Sequence, residues 1–221
     1  MVRVVKEREE RKKEIIAAAR SLFNEKGYEE TSVNDIIKKA GIAKGTFYYY
    51  FSSKEEIMND VVMKDMARHV AEVMPVVDSQ TLSPAEKFRD FILQHQISHT
   101  ENIEVLEFFR KKSDIVMRHK TLVASLHTFS PLIEKIIHEG NQKKIFNVEY
   151  PEETAELIMA GLIFNFDPNI MKKTKEEYIK NVYALAQMME KVLSAEKGSF
   201  SFFADMAESM YQFDYQFEEV E

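Results

Sequence analysis

Apolar residues recur at helical spacing along most of the chain, in segments separated by short polar stretches. Positions i, i+3, i+4 and i+7 share one face of a helix, so each of these segments predicts an amphipathic helix. We find no convincing strand alternation, and the 221 residues include only six glycines and five prolines. This composition favours long helices with few turns. The pattern therefore predicts an all-α protein.

The first two helices are predicted before residue 41. The first helix runs from about Glu7 to Gly27. Either Thr31 or Ser32 can cap the second helix, because a hydroxyl accepts a hydrogen bond from an unpaired N–H of the first turn. Gly41 follows the second helix, where a left-handed residue commonly ends a helix. The second helix has one apolar stripe, formed by Val33, Ile36, Ile37 and Ala40.

The third helix is predicted from about Gly45 to Phe51, after a tight turn. Phe47 and Phe51 are four residues apart and share its buried face. A bihelical unit of this length can place its second helix in the DNA major groove. Tyrosine hydroxyls reach phosphate and the rings can contact a thymine methyl, although such rings can also simply cover a neighbouring element. The other faces carry Gly45, Thr46, Tyr48, Tyr49 and Tyr50.

Residues 8–60 resemble the TetR family of bacterial transcriptional regulators. The resemblance begins in the first helix and continues through TSVNDIIKKAGIAKGTFYYYFSSKEEI. It is carried by the order of the helices and by Gly41, Gly45, the Phe47-Tyr48 pair, Phe51 and Lys54. The resemblance implies an N-terminal three-helix helix-turn-helix DNA-binding domain over residues 1–53. It also implies a larger C-terminal helical ligand-binding and dimerisation domain over residues 54–221.

The same resemblance implies a set of DNA contacts. Thr31 would hold a phosphate at the start of the second helix, and Lys54 would clamp one at the start of the fourth. The groove would be entered by Lys44, Gly45 and Thr46, and bases or phosphates would be contacted by Tyr48, Tyr49 and Tyr50. Relatives often have a histidine at Tyr50, which leaves the base preference open. A basic N-terminal arm either adds contacts or is a solvated terminus, and it carries Arg3, Lys6 and Arg8.

Beyond residue 53 the pattern predicts further helices. A capping box at Ser53–Glu56 opens a connector helix that runs to about Val73, and Pro75 is placed in the following loop. Proline should kink or restart the chain at Ser130-Pro131. Two more start signals are Ser83–Glu86 and Thr174–Glu177. The later helices are predicted at about 84–99, 101–118, 119–139, 151–166, 174–194 and 200–217.

The helices at 151–166 and 174–194 contain small residues that permit close helix approach, namely Ala155, Ala160, Gly161 and Ala184. Their apolar stripes fit ordinary core as well as a dimer interface, and the sequence alone does not separate the two. In the family that the chain resembles, this pair packs against its symmetry mate as a four-helix bundle. The resemblance therefore favours a homodimer interface.

The chain contains 16 phenylalanines and 12 methionines, which can line an adaptable apolar cavity as well as fill a core. The family resemblance favours a pocket for a small effector. Its candidate lining residues are Phe91, His95, Phe108, Phe109, Met117, Phe129 and Phe164. His95 and His99 could share a metal, but further ligands are not evident, so we expect no metal and no cofactor.

Charge is distributed unevenly along the chain. The net charge is −7, yet residues 1–55 carry 12 Lys and Arg against 9 Asp and Glu, a net of +3. A basic N-terminal part suits double-stranded DNA, and the acidic remainder should stay away from it. The chain has no cysteine and no apolar run near 18 residues, and its N-terminus lacks the apolar stretch of a signal peptide. We therefore expect a cytoplasmic protein without membrane contact.

These features predict a ligand-responsive DNA-binding transcriptional regulator. It would bind a palindromic operator as a homodimer and be released by a small apolar effector, which is most often the behaviour of a repressor. The chain shows no nucleophile–base motif, no Gly-rich phosphate loop and no zinc-protease signature, so we expect no enzyme activity. The alternatives are a constitutive architectural DNA-binding protein without an effector, and a helical enzyme or lipid carrier.

Overall fold

The computed structural model describes the backbone of residues 2–100, 115–167 and 170–215, and within them the side chains of 8–64, 66–94, 119–167 and 170–212. The predicted all-α fold is confirmed, since no strand occurs in these described ranges. The helices in chain order are α1 (Val2–Lys26), α2 (Val33–Ala40), α3 (Lys44–Tyr50), α4 (Lys54–Val77), α5 (Pro84–Thr100), α6 (Ile115–Gln142), α7 (Pro151–Asn165), α8 (Lys175–Val192) and α9 (Phe202–Tyr215). The predicted helix at 101–118 falls largely outside the described residues.

The described chain divides into two compact units. The first contains α1, α2, α3, α4 up to Ala67 and the start of α6 up to Ala124. Its core is made of apolar side chains that are almost fully buried, because each short helix turns one stripe inward. These side chains include Ile15, Ala19, Phe23, Ile36, Phe47, Phe51, Ile57 and Met58.

Ion pairs tie α4 to its neighbours within the first unit. The Lys12 ammonium on α1 lies 2.5 Å from the Asp60 carboxylate. Lys120 on α6 donates to Glu55 Oε1 at 2.8 Å and to Asn59 Oδ1 at 2.9 Å. Exposed pairs of this kind contribute little stability, so the apolar core holds the unit together.

The second unit is built around stacked aromatic side chains. The Phe88 and Phe200 rings are 5.7 Å apart, and the Phe146 and Phe200 rings are 6.3 Å apart. On α8 and α9, the Tyr178 and Tyr211 rings meet edge to face at 5.5 Å. Offset and edge-to-face pairs of this kind add to the stabilisation that burial already provides.

A buried lysine connects three helices of the second unit. Lys87 on α5 is 1% exposed, and its ammonium donates to the Val77 carbonyl at 2.8 Å and to the Glu139 carboxylate at 2.5 Å. The Val77 carbonyl ends α4, where a helix leaves acceptors without partners. Burial alone would raise the pKa of Glu139, but hydrogen bonds from Lys143 and Lys87 outweigh burial and lower that pKa. Lys87 is therefore a buried charge that is paired with a carboxylate and hydrogen-bonded to a carbonyl.

The predicted helix starts agree with the structure in most respects. Ser83 and Glu86 exchange hydrogen bonds, and so do Thr174 and Glu177. At the start of α4 only half of the predicted box forms. The Glu56 N–H donates to Ser53 Oγ, whereas the Glu56 carboxylate accepts from the N–H and hydroxyl of Ser52.

Two predicted helix boundaries are wrong. Helix α1 begins at Val2 rather than near Glu7, and α4 continues through Pro75 to Val77. Of the kink or restart predicted at Pro131, the restart is excluded, because Pro131 lies inside helix α6. A proline inside a helix costs about 3 kcal/mol because a backbone hydrogen bond is lost. Packing offsets that cost, since the side chains on both sides of the two prolines are buried, namely Val73, Val77, Phe129 and Ile133.

Candidate nucleic-acid interface

Helix α2 begins with a complete capping box. Asp35 N–H donates to Ser32 Oγ at 3.1 Å, and Ser32 N–H donates to Asp35 Oδ2 at 2.9 Å. Ser32, and not Thr31, is thus the capping residue. Hydrogen bonds from Lys26 and from Ser32 hold the pKa of Asp35 well below its usual value. Because the folded pKa is depressed, this stabilisation is present above pH about 4 and is lost as the pH falls through the lower folded value.

A tight turn follows α2. Gly41 adopts the left-handed conformation at φ 63°, which residues other than glycine rarely adopt. The Gly41 N–H donates to the Lys38 carbonyl and the Ile42 N–H donates to the Ile37 carbonyl, both at 3.2 Å. These two bonds form a Schellman motif, which satisfies the last carbonyls of α2. The turn therefore fixes the direction of α3 relative to α2.

The two faces of α3 differ as the sequence predicts. Phe47 and Phe51 are buried, and their rings lie 5.9 Å apart. Tyr48 is 50% exposed and Tyr49 is 63% exposed. Because every large side chain opposite the phenylalanines is a tyrosine, the exposed face combines apolar rings with hydroxyl groups. The remaining predicted contact residues are exposed at Lys44 and Gly45 and half-buried at Thr46 and Tyr50.

Gly45 lies at the first turn of α3 and faces open space. A β-carbon added there would meet no atom within 4 Å, and its φ angle is not positive. The fold of the described residues therefore does not require glycine at this position. A surface that must come close to another backbone is a physical reason for glycine here.

Lys54 uses two of its hydrogen bonds within the protein. Its ammonium donates to the Tyr28 carbonyl at 2.6 Å and to the Glu29 carbonyl at 3.3 Å, and it lies 4.0 Å from the centre of the Tyr28 ring. An ammonium has three donors, so one remains for a phosphate. Lys54 thus connects α4 to the loop between α1 and α2. The predicted phosphate contact stays a prediction.

Thr31 does not reach the surface. It is 1% exposed, and its hydroxyl donates to the Gly27 carbonyl at 2.6 Å. A hydroxyl has one proton, so this bond leaves none for a phosphate oxygen. The geometry does not favour the predicted phosphate contact of Thr31. Ser32 is exposed, but its hydroxyl donates to Asp35 Oδ2 at 2.7 Å, so the same limit applies to it.

Arg8 joins the exposed face of α3. Its guanidinium carbon lies 5.1 Å from the centre of the Tyr49 ring. The spacing of 41 residues along the chain offered no signal for this contact, so sequence reasoning treated Arg8 only as part of a basic arm. Arg3 and Lys6 lie outside the described side chains.

The predicted effector-lining residues are only partly brought together. Phe91 and Phe129 are buried, with their rings 5.9 Å apart. Phe164 is 46% exposed, unlike the two buried rings. Four predicted pocket residues lie outside the described side chains, namely His95, Phe108, Phe109 and Met117. The same holds for the possible metal ligands His95 and His99.

Helices α7 and α8 each carry an apolar face that the described residues leave exposed. On α7, Leu157 is 74% exposed, and Phe164 is seven residues later on the same face. On α8, Ala184, Met188 and Val192 follow one another at four-residue intervals, and all three are exposed. We call these five residues the α7/α8 face.

In the part of the chain that the structure describes, no helix is long and apolar enough to cross a membrane.

Comparison with known proteins identifies two matching domains. Residues 15–61 match the family described as bacterial regulatory proteins, tetR family. Residues 98–188 match the family described as tetracyclin repressor-like, C-terminal domain. The first match contains the whole of α2 and α3, and the second contains α7.

Individual relatives agree with this assignment. The HTH-type transcriptional regulator LmrA of Bacillus subtilis (strain 168) is 29% identical over 118 residues, which are 52% of this chain and 63% of LmrA. The HTH-type transcriptional repressor KstR2 of Mycobacterium tuberculosis (strain ATCC 25618 / H37Rv) is 32% identical over 93 residues, which are 42% of this chain and 46% of KstR2. The chain thus spans less than two thirds of the length of these relatives.

Solved structures share the fold over most of the chain. The crystal structure of RolR with resorcinol has a TM-score of 0.65 at 19% identity, over 90% of this chain and 95% of RolR. The flavonoid-responsive regulator FrrA has a TM-score of 0.58 at 22% identity, over 82% of this chain and 96% of FrrA. Family matches in both halves, the named relatives and the shared fold lead to one conclusion. The chain belongs to the TetR family of bacterial transcriptional regulators.

Proposed function

We propose that this protein is a ligand-responsive regulator that binds a palindromic DNA operator as a homodimer and is released by a small apolar effector. The observation that carries this proposal is α3, which buries Phe47 and Phe51 and exposes Tyr48 and Tyr49 beside Lys44. A helix with these two faces can enter a major groove. Such a regulator would act as a repressor in the cytoplasm, and not as an enzyme.

On this proposal the exposed residues of α3 divide into two kinds of contact. Lys44 would bind a phosphate, while Gly45 and Thr46 would let the start of α3 approach the groove. Tyr48, Tyr49 and Tyr50 would contact bases or phosphates, and the spare donor of Lys54 would hold a phosphate. Phosphate contacts position the protein and base contacts give specificity.

The proposed homodimer uses the α7/α8 face. Leu157 and Phe164 on α7 would be costly to leave in water, and contiguous exposed apolar surface is typical of protein interfaces. In a two-fold dimer that binds two half-sites, the two copies of α3 would lie about 34–36 Å apart, one DNA turn. A palindromic operator follows from that symmetry.

An effector is supported by the fold alone. RolR was crystallised with resorcinol and FrrA is described as flavonoid-responsive, and both share the fold of this chain. In this protein the buried Phe91 and Phe129 are the two predicted pocket residues whose rings the structure brings together. A ligand that binds better to the DNA-free arrangement releases DNA by population shift. A hundredfold preference would supply about 2.7 kcal/mol per site.

The test of the proposal is selection of bound sequences from a random DNA pool at physiological salt. One enriched palindrome would support a sequence-specific dimer and provide a probe for screening small aromatic compounds. If the folded protein enriches no sequence, the proposed regulator is wrong and architectural DNA binding takes its place. If every compound leaves palindrome binding unchanged, the proposed release by an effector is wrong, while the proposed operator binding stands.

Lys44→Ala is expected to weaken binding to every DNA sequence by a similar factor. Lys44 is exposed and makes no ion pair with any described side chain, so its loss should leave the fold intact. Removing one phosphate contact lowers the slope of log affinity against log salt by about one per DNA-binding unit. Fluorescence anisotropy at several salt concentrations measures that slope. Lys197→Ala removes an equally exposed lysine far along the chain and should leave the slope unchanged. A loss confined to the palindrome would contradict a phosphate role for Lys44.

Leu157→Glu is expected to raise the dimer dissociation constant by about tenfold or more, because an unpaired carboxylate is costly to bury. Sedimentation velocity over a concentration series measures this. Met63→Glu is the matched control, since Met63 is also an exposed apolar side chain, at 56%, but lies on α4. Dimerisation that survives Leu157→Glu unchanged would remove the α7/α8 face from the proposal.

A further inference from the structure

Tyr49 is the most exposed aromatic side chain on α3, yet its ring is held on two sides. The Arg8 guanidinium carbon lies 5.1 Å from the ring centre. The Tyr50 ring lies 5.1 Å away at an interplanar angle of 89°. A tyrosine exposed to 63% would otherwise exchange between side-chain rotamers. The contact with Arg8 comes from α1, so it links two helices.

The planar guanidinium suits this role. Arginine stacks on aromatic faces, whereas the lysine ammonium is a compact and strongly hydrated charge. No carboxylate among the described side chains forms an ion pair with Arg8, although its neighbour in the helix, Arg11, pairs with Glu14 at 2.6 Å. Arg8 is thus available to Tyr49 rather than committed within α1.

We propose that Arg8 is a positioning residue for DNA reading, which holds the Tyr49 ring in the orientation that contacts a base. This inference rests on the proposed function and deepens it. A ring that is already oriented loses less conformational entropy on binding, so the operator is bound more tightly than other DNA. Arg8 therefore acts on specificity through Tyr49.

The proposal predicts a specific pattern of coupling. Loss of one exposed cation–π contact corresponds to about two- to fivefold in affinity per DNA-binding unit. Arg8→Lys keeps the positive charge but lacks the planar group. It should therefore lower the ratio of palindrome affinity to scrambled-DNA affinity by this factor, with the salt slope unchanged. In a Tyr49→Ala background, Arg8→Lys should no longer change the ratio.

The experiment is a double-mutant cycle of Arg8→Lys and Tyr49→Ala, read as the ratio of affinities for the selected palindrome and for scrambled DNA of equal length. A second cycle pairs Arg8→Lys with Tyr48→Ala, because the Tyr48 ring lies against Phe47 at 5.4 Å rather than against Arg8. Coupling in the first cycle and additivity in the second is the expected result. Arg11→Ala should leave the ratio unchanged.

Two outcomes would overturn the inference, and they are distinguishable. If the wild-type protein selects a palindrome but Arg8→Lys and Tyr49→Ala act independently, the positioning role is wrong while the proposed function stands. If the wild-type protein selects no palindrome, the proposed function fails and the inference fails with it. Thermal unfolding of each variant is the control for an intact fold, and the unfolding temperature should match that of the wild-type protein.

Discussion

Replacing Gly140 by alanine is expected to lower the free energy of unfolding by about 3 kcal/mol or to prevent folding altogether. Gly140 is buried near the end of α6. A β-carbon at this position would lie 2.0 Å from Cδ2 of Phe146 and 2.6 Å from Cγ of the same ring. Neither atom is at the free end of a flexible side chain, so the ring itself must move.

The cost is large because Phe146 is part of the aromatic core of the second unit. Its ring lies 6.2 Å from Phe88 and 6.3 Å from Phe200. The N–H groups of Ile145 and Phe146 both donate to the Gly140 carbonyl, at 2.9 and 3.1 Å, so backbone and ring are held at the same place. Displacing the ring opens a cavity and also strains these hydrogen bonds.

Urea unfolding followed by circular dichroism measures this effect. Gly45→Ala is the matched control, because Gly45 is also a helical glycine but a β-carbon there meets nothing within 4 Å. That control should gain about 0.5–1 kcal/mol from helix propensity. Equal stabilities for the two variants would show that the second unit tolerates a shift of Phe146.

Local rules explain which features the sequence could predict. The two faces of α3 follow from helical period alone, because Phe47 and Phe51 are one turn apart. The helix starts at Ser83 and Thr174 depend on a carboxylate three residues later, and they form as expected. Each of these signals lies within one turn of a helix, so no knowledge of the tertiary structure is needed.

Contacts between distant residues explain the rest. Local rules predict a helix end before Pro75 and a kink or restart at Pro131, yet both prolines lie inside helices with buried neighbours. Thr31 and Ser32 have the same capping chemistry, and only the packing of α1 on α2 buries the first and exposes the second. The carbonyl partners of Lys54 are 25 and 26 residues away, and no spacing rule connects them.

Gly45→Leu is expected to weaken operator binding by about a hundredfold, or ~2.7 kcal/mol, while the protein stays folded. A leucine at the first turn of α3 adds a bulky side chain to the surface that we propose enters the major groove. Misfit of this kind costs about 1–3 kcal/mol at each contact, and a dimer carries two copies. The fold should be unaffected or slightly stabilised, because the position is open and leucine favours helix more than glycine does.

The combination of lost binding and retained stability is what makes Gly45 informative. Gly45→Ala, which adds one methyl group, should give an intermediate loss of affinity, so the two variants form a series in side-chain volume. Binding is measured by anisotropy on the selected palindrome, and stability by urea unfolding of the same preparations. Scrambled DNA separates loss of fit from loss of all DNA binding. If Gly45→Leu binds the palindrome as tightly as the wild-type protein, α3 does not enter the groove by its first turn, and the assignment of Lys44, Gly45 and Thr46 to the groove is wrong.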